Sequence, residues 1–155
     1  MQTFLPYADF DKSAQCLDTK RLVKQIVECQ QILNALLLPE AKGWKNHPAV
    51  TQWKGYEVSL VRYMASVTGA YFKRFPKKRG ENKSWNYVVN NFYDVVTGSG
   101  ANPPWLGNEE LHASHRANLL RKDPTFYGTF GWTEEPREGY IWGRDIDPLT
   151  NRENN

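Results

Sequence analysis

The chain has 155 residues, 40% of them hydrophobic and 14% aromatic, and a formal net charge of +3 that permits a polyanionic partner without requiring one. This length predicts a single domain over residues 1–155, and two cysteines, Cys16 and Cys29, are too few for a disulfide framework. The sequence has no signal-peptide pattern and no apolar run long enough to cross a membrane, so we expect a cytoplasmic protein with no membrane partner, and a monomer by default.

The N-terminal part of the chain predicts a long helix after an irregular start. Residues 1–10 are expected to be extended, and a short turn capped by Asp11 or Ser13 follows. The helix begins after its N-cap Asp18 and runs to about Leu38. Apolar residues recur at helical spacing along it and predict a core-facing side: positions 22, 23, 26, 29, 33 and 36.

Polar side chains share the opposite face of this helix, because residues three or four apart are neighbours on a helix surface. They are Arg21, Lys24, Gln25 and Glu28. Cations, an amide and a carboxylate on one rigid face suit anion binding beside acid–base chemistry. The structural alternative is a solvated face with one Lys24–Glu28 ion pair.

The Asn46-His47-Pro48 turn predicts a second helix, over about residues 49–69, in which Pro48 suits the first helical position. Six residues recur at helical spacing and are expected to face the core: Trp53, Tyr56, Leu60, Tyr63, Met64 and Val67. His47 is a candidate anion ligand, since backbone N–H groups at a helix entrance attract anions. A capping or packing role explains it equally well.

Residues 73–83 hold six basic residues and one acidic residue and predict a basic loop, which serves either phosphate contacts or solubility. A third helix is predicted over about 84–96, and residues 97–107 form a turn-rich connector.

A fourth helix, capped by Asn108, is predicted to run to about Lys122 and to stop at Asp123-Pro124. Its candidate phosphate ligands are His115 and Arg116, and the same helix carries His112, Arg121 and Lys122. Cations that satisfy the helix dipole are the structural alternative. No further ligand pattern accompanies the two histidines, so neither a metal nor another cofactor is expected.

The segment 125–142 is aromatic and interrupted by glycines, and it is expected to pack across the helices, whereas the polar residues 144–155 are expected to be frayed. No strand pairing or interdomain linker is evident. The predicted fold class is therefore all-α, a single-domain bundle of about four helices with long irregular loops and an aromatic C-terminal tail.

Five ordered motifs, spread over about residues 1–142, carry a resemblance to a known family. They are Leu17-Asp18-x-x-Arg21-Leu22-x-Lys24-Gln25-x-x-Glu28, Asn46-His47-Pro48-Ala49, Trp53-x-Gly55-Tyr56-Glu57, Pro103-Pro104-Trp105-Leu106-Gly107 and His112-x-Ser114-His115-Arg116-x-x-Leu119-Leu120-Arg121-Lys122-Asp123-Pro124. The sequence resembles the bacterial and phage pyrimidine-dimer DNA glycosylases, or endonuclease V-like proteins.

This resemblance implies a compact all-helical fold and a DNA glycosylase with AP-lyase activity, acting on a damaged or modified pyrimidine. In the phage enzyme the α-amine attacks C1′, the base leaves, an imine forms, and β-elimination nicks the strand. Glu28 matches the assisting glutamate. Peptide α-amines titrate at about pH 8, so an appreciable fraction is neutral and nucleophilic at neutral pH.

This chain departs from the phage enzyme at two places. The bulky Gln2 should leave the initiator Met1 in place, which makes the α-amine of Met1 the expected nucleophile. Val27 stands where the phage enzyme has an arginine before the glutamate, and Lys24 lies one turn earlier as a phosphate ligand or a rival imine-forming amine.

The resemblance makes DNA the expected partner, most simply a duplex with a damaged or modified base. Six residues are expected to hold phosphates or the abasic sugar: Arg21, Lys24, His47, His115, Arg116 and Lys122. Further expected contacts are Gln25, Asn46, His112 and Arg121, with Trp105 or Trp132 filling the gap left by an extruded base. The basic side chains of residues 73–79 would add affinity for DNA that weakens as the salt concentration rises.

Two other functions stay open at this stage. One is a non-catalytic DNA-binding module of the same fold, in which Glu28→Gln leaves every activity intact. The other is an enzyme that transforms a modified base without strand cleavage, and it would leave no imine to trap.

Overall fold

Helices make up 57% of the chain in the computed structural model, which describes residues 1–154. The α-helices are α1 (Phe10–Cys16), α2 (Thr19–Leu37), α3 (Pro48–Thr51), α4 (Glu57–Arg74), α5 (Lys83–Asn91), α6 (Tyr93–Val96), α7 (Glu109–Lys122) and α8 (Pro124–Tyr127). Short 3-10 helices lie at Pro76–Lys78, Gly128–Phe130 and Gly143–Asp145. None of the helices in the described part is long and apolar enough to cross a membrane.

The long helix α2 has the predicted start and end. The Asp18 carboxylate accepts a hydrogen bond from the Arg21 backbone N–H at 3.3 Å, which caps the first turn. Its fully buried side comprises Leu22, Ile26, Cys29, Ile32 and Leu33. The prediction that Val23 faces the core is wrong, because this residue is 39% exposed.

The second predicted helix, over 49–69, is two helices. Gly55 has a φ of +87°, a left-handed conformation that glycine adopts without strain, and this turn separates α3 from α4. Pro48 does occupy the first turn of α3. The predicted core stripe is fully buried except for the half-buried Tyr56. The ring of Trp53 stacks on that of Tyr63 in α4, and α4 packs against α2.

The prediction of about four helices is wrong, since the described residues form eight. The predicted helix over 84–96 breaks at the buried Phe92, whose φ of −128° and ψ of 39° end α5 before α6 begins. The predicted turn capped by Asp11 or Ser13 is instead the helix α1, capped by Asp9, which accepts from the Lys12 N–H at 2.8 Å. Ser13 is buried inside that helix.

The helix α7 has its predicted bounds, with Asn108 as its cap. Residues 144–155 were expected to be frayed, but the part of this tail that the structure describes contains a regular hairpin. Strands β1 (Ile146–Asp147) and β2 (Arg152–Glu153) pair antiparallel, with Ile146 opposite Glu153. Ile146 is buried against the core, which ties this hairpin to the helices.

Candidate functional site

The N-terminal segment, residues 2–5, is extended and lies inside the protein rather than on its surface. Gln2 and Phe4 are almost fully buried, and Thr3 and Leu5 have no exposed surface. Buried backbone N–H and C=O groups need partners, and this segment belongs to neither a helix nor a sheet. Side chains from α2, α4 and α7 supply those partners.

Gln25 of α2 forms the first set of contacts. Its Nε2 donates to the carbonyl oxygen of Gln2 at 2.6 Å, and its Oε1 accepts from the Phe4 N–H at 2.8 Å. The Tyr63 hydroxyl of α4 lies 2.7 Å from both the Phe4 carbonyl oxygen and Gln25 Oε1. The segment is therefore fixed beside the polar face of α2.

Thr3 is held by the turn between α3 and α4. Its Oγ1 accepts hydrogen bonds from Trp53 Nε1 at 3.1 Å and from Gln52 Nε2 at 3.3 Å. Trp105, a predicted stacking residue, is buried beside them and donates from Nε1 to the Gln52 carbonyl oxygen at 2.9 Å. Its ring is thus unavailable for stacking on a base.

Three predicted DNA contacts on α7 bind this segment or Pro6, the residue that follows it. His115 Nδ1 accepts from the Leu5 N–H at 2.8 Å, and His112 Nδ1 lies 2.7 Å from the Leu5 carbonyl oxygen, to which it donates when protonated there. Arg116 donates to the Pro6 carbonyl oxygen at 2.7 Å and pairs with Glu109 and Glu134.

All three α7 side chains are buried, which explains why they contact the protein and not solvent. Burial lowers the pKa of His115 to about 3 and also lowers the pKa of His112, so both imidazoles are neutral at pH 7. The expected contact of these residues with phosphate therefore has no support in this conformation.

A cavity of about 340 Å³ opens where the segment meets α2 and the end of α7. The lining residues that bear on chemistry are Met1, Arg21, Lys24, Gln25, Glu28 and Lys122. The structure therefore brings together the predicted nucleophile, the predicted carboxylate and four predicted DNA contacts. Asn46, His47 and Arg121 do not line it.

Glu28 is nearly buried, and its two carboxylate oxygens differ in their surroundings. Oε2 accepts from Gln25 Nε2 at 2.8 Å, whereas Oε1 lies 3.9 Å from the largely exposed Lys24 ammonium. Gln25 itself is 1% exposed, so the structural alternative of a solvated face does not describe these two residues. The N-terminal segment covers this side of α2.

Cations surround the cavity. Burial, followed by the charges of Arg121, Arg21 and Lys24, lowers the pKa of Lys122. Asp18 holds the Arg21 guanidinium at 3.0 Å and accepts from the Tyr127 hydroxyl. Burial raises the pKa of Asp18, but these bonds more than offset it and the pKa is lowered overall.

The remaining predicted contacts lie outside the cavity. His47 caps α3 by accepting from the Ala49 N–H at 3.0 Å; burial, then the charges of the chain's α-amine and of Arg144, lowers its pKa. The exposed Asn46 accepts from Arg144 through its carbonyl oxygen, at 3.3 Å. The half-buried ring of Trp132 stacks on Tyr127 with centroids 5.7 Å apart.

Four lining residues were not among the predicted site residues, and two of them, Gln2 and Phe4, belong to the buried N-terminal segment. Lys20 lies one turn before Lys24, so the helical spacing used for the polar stripe contained a signal for it. Tyr140 comes from an irregular segment and had no such signal. Burial raises the pKa of Tyr140 to about 12, so its hydroxyl is protonated at neutral pH.

Among residues 1–154, no group of three or more His, Cys, Asp or Glu side chains is arranged to hold a metal ion. A family model described as pyrimidine dimer DNA glycosylase matches residues 1–82, which include every cavity residue from Met1 to Glu28 but not Lys122 or Tyr140. No curated protein and no solved structure matches the chain.

Proposed function

The chain belongs to the pyrimidine dimer DNA glycosylase family, and we propose that it removes a damaged or modified pyrimidine from DNA and then nicks the strand through an imine intermediate. The observation that carries this proposal is that Met1 and Glu28 line one cavity together with several cationic side chains. Membership of a DNA glycosylase family implies DNA as the substrate.

The proposed reaction begins with the neutral α-amine of Met1. Its nitrogen forms a bond to C1′ of the target nucleotide while the bond from C1′ to the base breaks, and the base leaves with that electron pair. The Glu28 carboxylate stabilises the positive charge that develops on the sugar and accepts a proton from the attacking amine. The sugar ring then opens: the C1′–O4′ bond breaks, O4′ takes the proton that Glu28 had accepted, and an imine remains between C1′ and the Met1 nitrogen.

Strand cleavage follows from the imine. Loss of a proton from C2′ to a base, for which Glu28 is the candidate, expels the 3′ phosphate as the C3′–O bond breaks. Arg21, Lys24 and Lys122 would neutralise the phosphates on either side of the reacting sugar, since each carries a cation at the cavity rim.

The buried N-terminal segment supports this assignment on energetic grounds. A free chain terminus would lose considerable entropy on reaching a defined attack position, whereas residues 2–5 are already fixed by hydrogen bonds. Holding a nucleophile in advance is among the larger contributions that an enzyme makes to rate.

The test is borohydride trapping on duplex DNA that carries either an abasic site or ultraviolet-induced dimers. The wild-type protein, shown by intact mass to begin at Met1, should give a covalent adduct that peptide analysis places on that residue. Glu28→Gln should slow adduct formation by about 100-fold or more while DNA affinity is kept. Glu57→Gln, a half-buried control outside this cavity, should trap normally.

Lys24→Arg tests the rival amine, because it keeps the charge and removes the nucleophilic nitrogen. The adduct should persist in this variant. An adduct that disappears with Lys24→Arg, or that is found on residue 24, contradicts the role of Met1. No adduct on either substrate, with salt-sensitive binding retained, favours the non-catalytic module or chemistry without an imine.

A further inference from the structure

Gln25 uses its whole side-chain amide within the protein. An amide offers two donors and two acceptor sites. Nε2 donates to the Gln2 carbonyl oxygen at 2.6 Å and to Glu28 Oε2 at 2.8 Å. Oε1 accepts from the Phe4 N–H at 2.8 Å and faces the Tyr63 hydroxyl at 2.7 Å. With an exposure of 1%, Gln25 has no group left for DNA.

These contacts allow one orientation of the amide. Rotated by half a turn, the NH₂ group would face the Phe4 N–H, and the carbonyl oxygen would face both the Gln2 carbonyl and the Glu28 carboxylate. Those are donor–donor and acceptor–acceptor contacts in a buried site, where an unpaired polar group is costly. The hydrogen-bond partners of both the NH₂ group and the carbonyl oxygen therefore fix the orientation of the Gln25 amide.

The two bonds from Nε2 join the parts of the cavity that must react together. One holds the residue next to Met1, and the other holds the Glu28 carboxylate. We infer that Gln25 is a positioning residue, which sets the Met1 amine and the Glu28 carboxylate relative to each other. This inference rests on the proposed function, because it assigns Gln25 a role in that reaction.

The isosteric variant Gln25→Glu separates positioning from folding. When the new carboxyl group is protonated, its single O–H can donate to Glu28 Oε2 and so replace one of the two lost Nε2 bonds, while the bond to the Gln2 carbonyl oxygen is lost at every pH. When it is ionised, two carboxylates face each other within hydrogen-bond distance and repel. The activity of the variant relative to wild type should therefore rise as the pH falls.

Gln52→Glu is the matched control. Gln52 is also buried and also holds the N-terminal segment, through Thr3 Oγ1 at 3.3 Å. Within the described residues it makes no hydrogen bond to Glu28. If Gln25→Glu only loosens the N-terminal segment, it should therefore behave like Gln52→Glu. If Gln25 is a positioning residue, the two variants should differ.

The measurement is the rate of borohydride-trapped adduct at saturating abasic duplex between about pH 8 and pH 5.5, with circular dichroism recording that each protein is folded at each pH. From the upper to the lower pH, the rate ratio of Gln25→Glu to wild type should rise by about tenfold or more. The ratio for Gln52→Glu should change by less than about threefold over the same range.

The inference is overturned if the rate ratio of Gln25→Glu to wild type does not change with pH, or if it changes as much as the ratio for Gln52→Glu. In either case, a trapped adduct of the wild-type protein still supports the proposed function. A wild-type protein that traps nothing overturns both. If Gln25→Glu does not fold, Tyr63→Phe decides, since it removes only the hydroxyl that lies against both Gln25 Oε1 and the Phe4 carbonyl oxygen. Trapping slowed by about fivefold or more, with unchanged DNA affinity, supports positioning, and an unchanged rate overturns it.

Discussion

At the scale of single residues, His115 shows how one side chain holds the N-terminal segment. Its Nδ1 must be unprotonated to accept from the Leu5 N–H, and its ring packs edge-on against Phe4 and Tyr140. A proton on that nitrogen would place two donors together in a buried site. The neutral imidazole is therefore a condition for the position of residues 2–5.

This condition predicts a pH-dependent stability. An unfolded His115 takes up a proton near its ordinary pKa of 6.5, whereas the buried ring does so only near 3. Between these values the unfolded state binds more protons, so stability is complete above 6.5 and declines as the pH falls toward 3. This residue alone should lower the free energy of unfolding by about 2 kcal/mol between about pH 6.5 and pH 5.

Thermal melts of wild type and His115→Asn over that pH range check this prediction. The asparagine amide oxygen can still accept from the Leu5 N–H but does not titrate, so the variant should be less stable at pH 7 and less sensitive to acid. His47→Asn, which keeps a side-chain cap on α3, should leave most of the acid sensitivity in place. Equal acid sensitivity in wild type and His115→Asn would contradict the prediction.

The candidate site was predictable from the sequence only in part, and Glu28 and Gln25 show why. Helical spacing placed both on the face opposite Leu22 and Ile26, where solvent was expected. Periodicity describes how one helix divides its residues between two faces, but it holds no information about an irregular segment elsewhere in the chain. Here that segment covers the polar face, so both residues are buried.

At the scale of elements, the basic segment from Lys73 to Lys83 is attached to the start of the helix α2 that lines the cavity. Arg74 anchors it to the start of α2 by donating to the Leu17 carbonyl oxygen at 2.6 Å and to Thr19 Oγ1 at 3.2 Å. Lys20, the next residue of α2, lines the cavity. We therefore expect DNA that binds at the cavity to reach this basic segment as well.

The triple variant Lys77→Ala, Lys78→Ala, Arg79→Ala tests that surface. These exposed side chains form no ion pair within the described residues. Removal of one cation that binds a phosphate should reduce the slope of log affinity against log salt by about 0.9, so affinity for undamaged duplex should become less salt-dependent. The rate of trapping at saturating DNA should not change.

Fluorescence anisotropy at several salt concentrations gives these slopes directly. Arg152→Ala serves as the control, because it removes an exposed cation from the C-terminal hairpin and should leave the slope unaltered. A triple variant with the wild-type slope would show that the basic segment does not contact phosphates.

At the scale of the whole molecule, the parts of the fold with local signals were the ones that the sequence predicted. Caps and periodicity placed α2 and α7 correctly, because Asp18 and Asn108 act within one turn of their own positions. The breaks at Gly55 and Phe92 depend on turn geometry and tertiary packing, so two predicted helices proved to be four. The course of residues 2–5 depends on contacts more than 100 positions away.

Those long-range contacts predict that residues 1–82, the range matched by the family model, do not fold by themselves. Without α7 the backbone groups of Leu5 and Pro6 have no hydrogen bonds from His112, His115 and Arg116, and buried polar groups left unpaired are costly. A protein of residues 1–82 should show no cooperative thermal unfolding and no trapped adduct. A chain ending at Ile146, which lacks mainly exposed hairpin residues, should retain both. Cooperative unfolding together with trapping by the shorter protein would mean that α7 is not needed to hold the nucleophile.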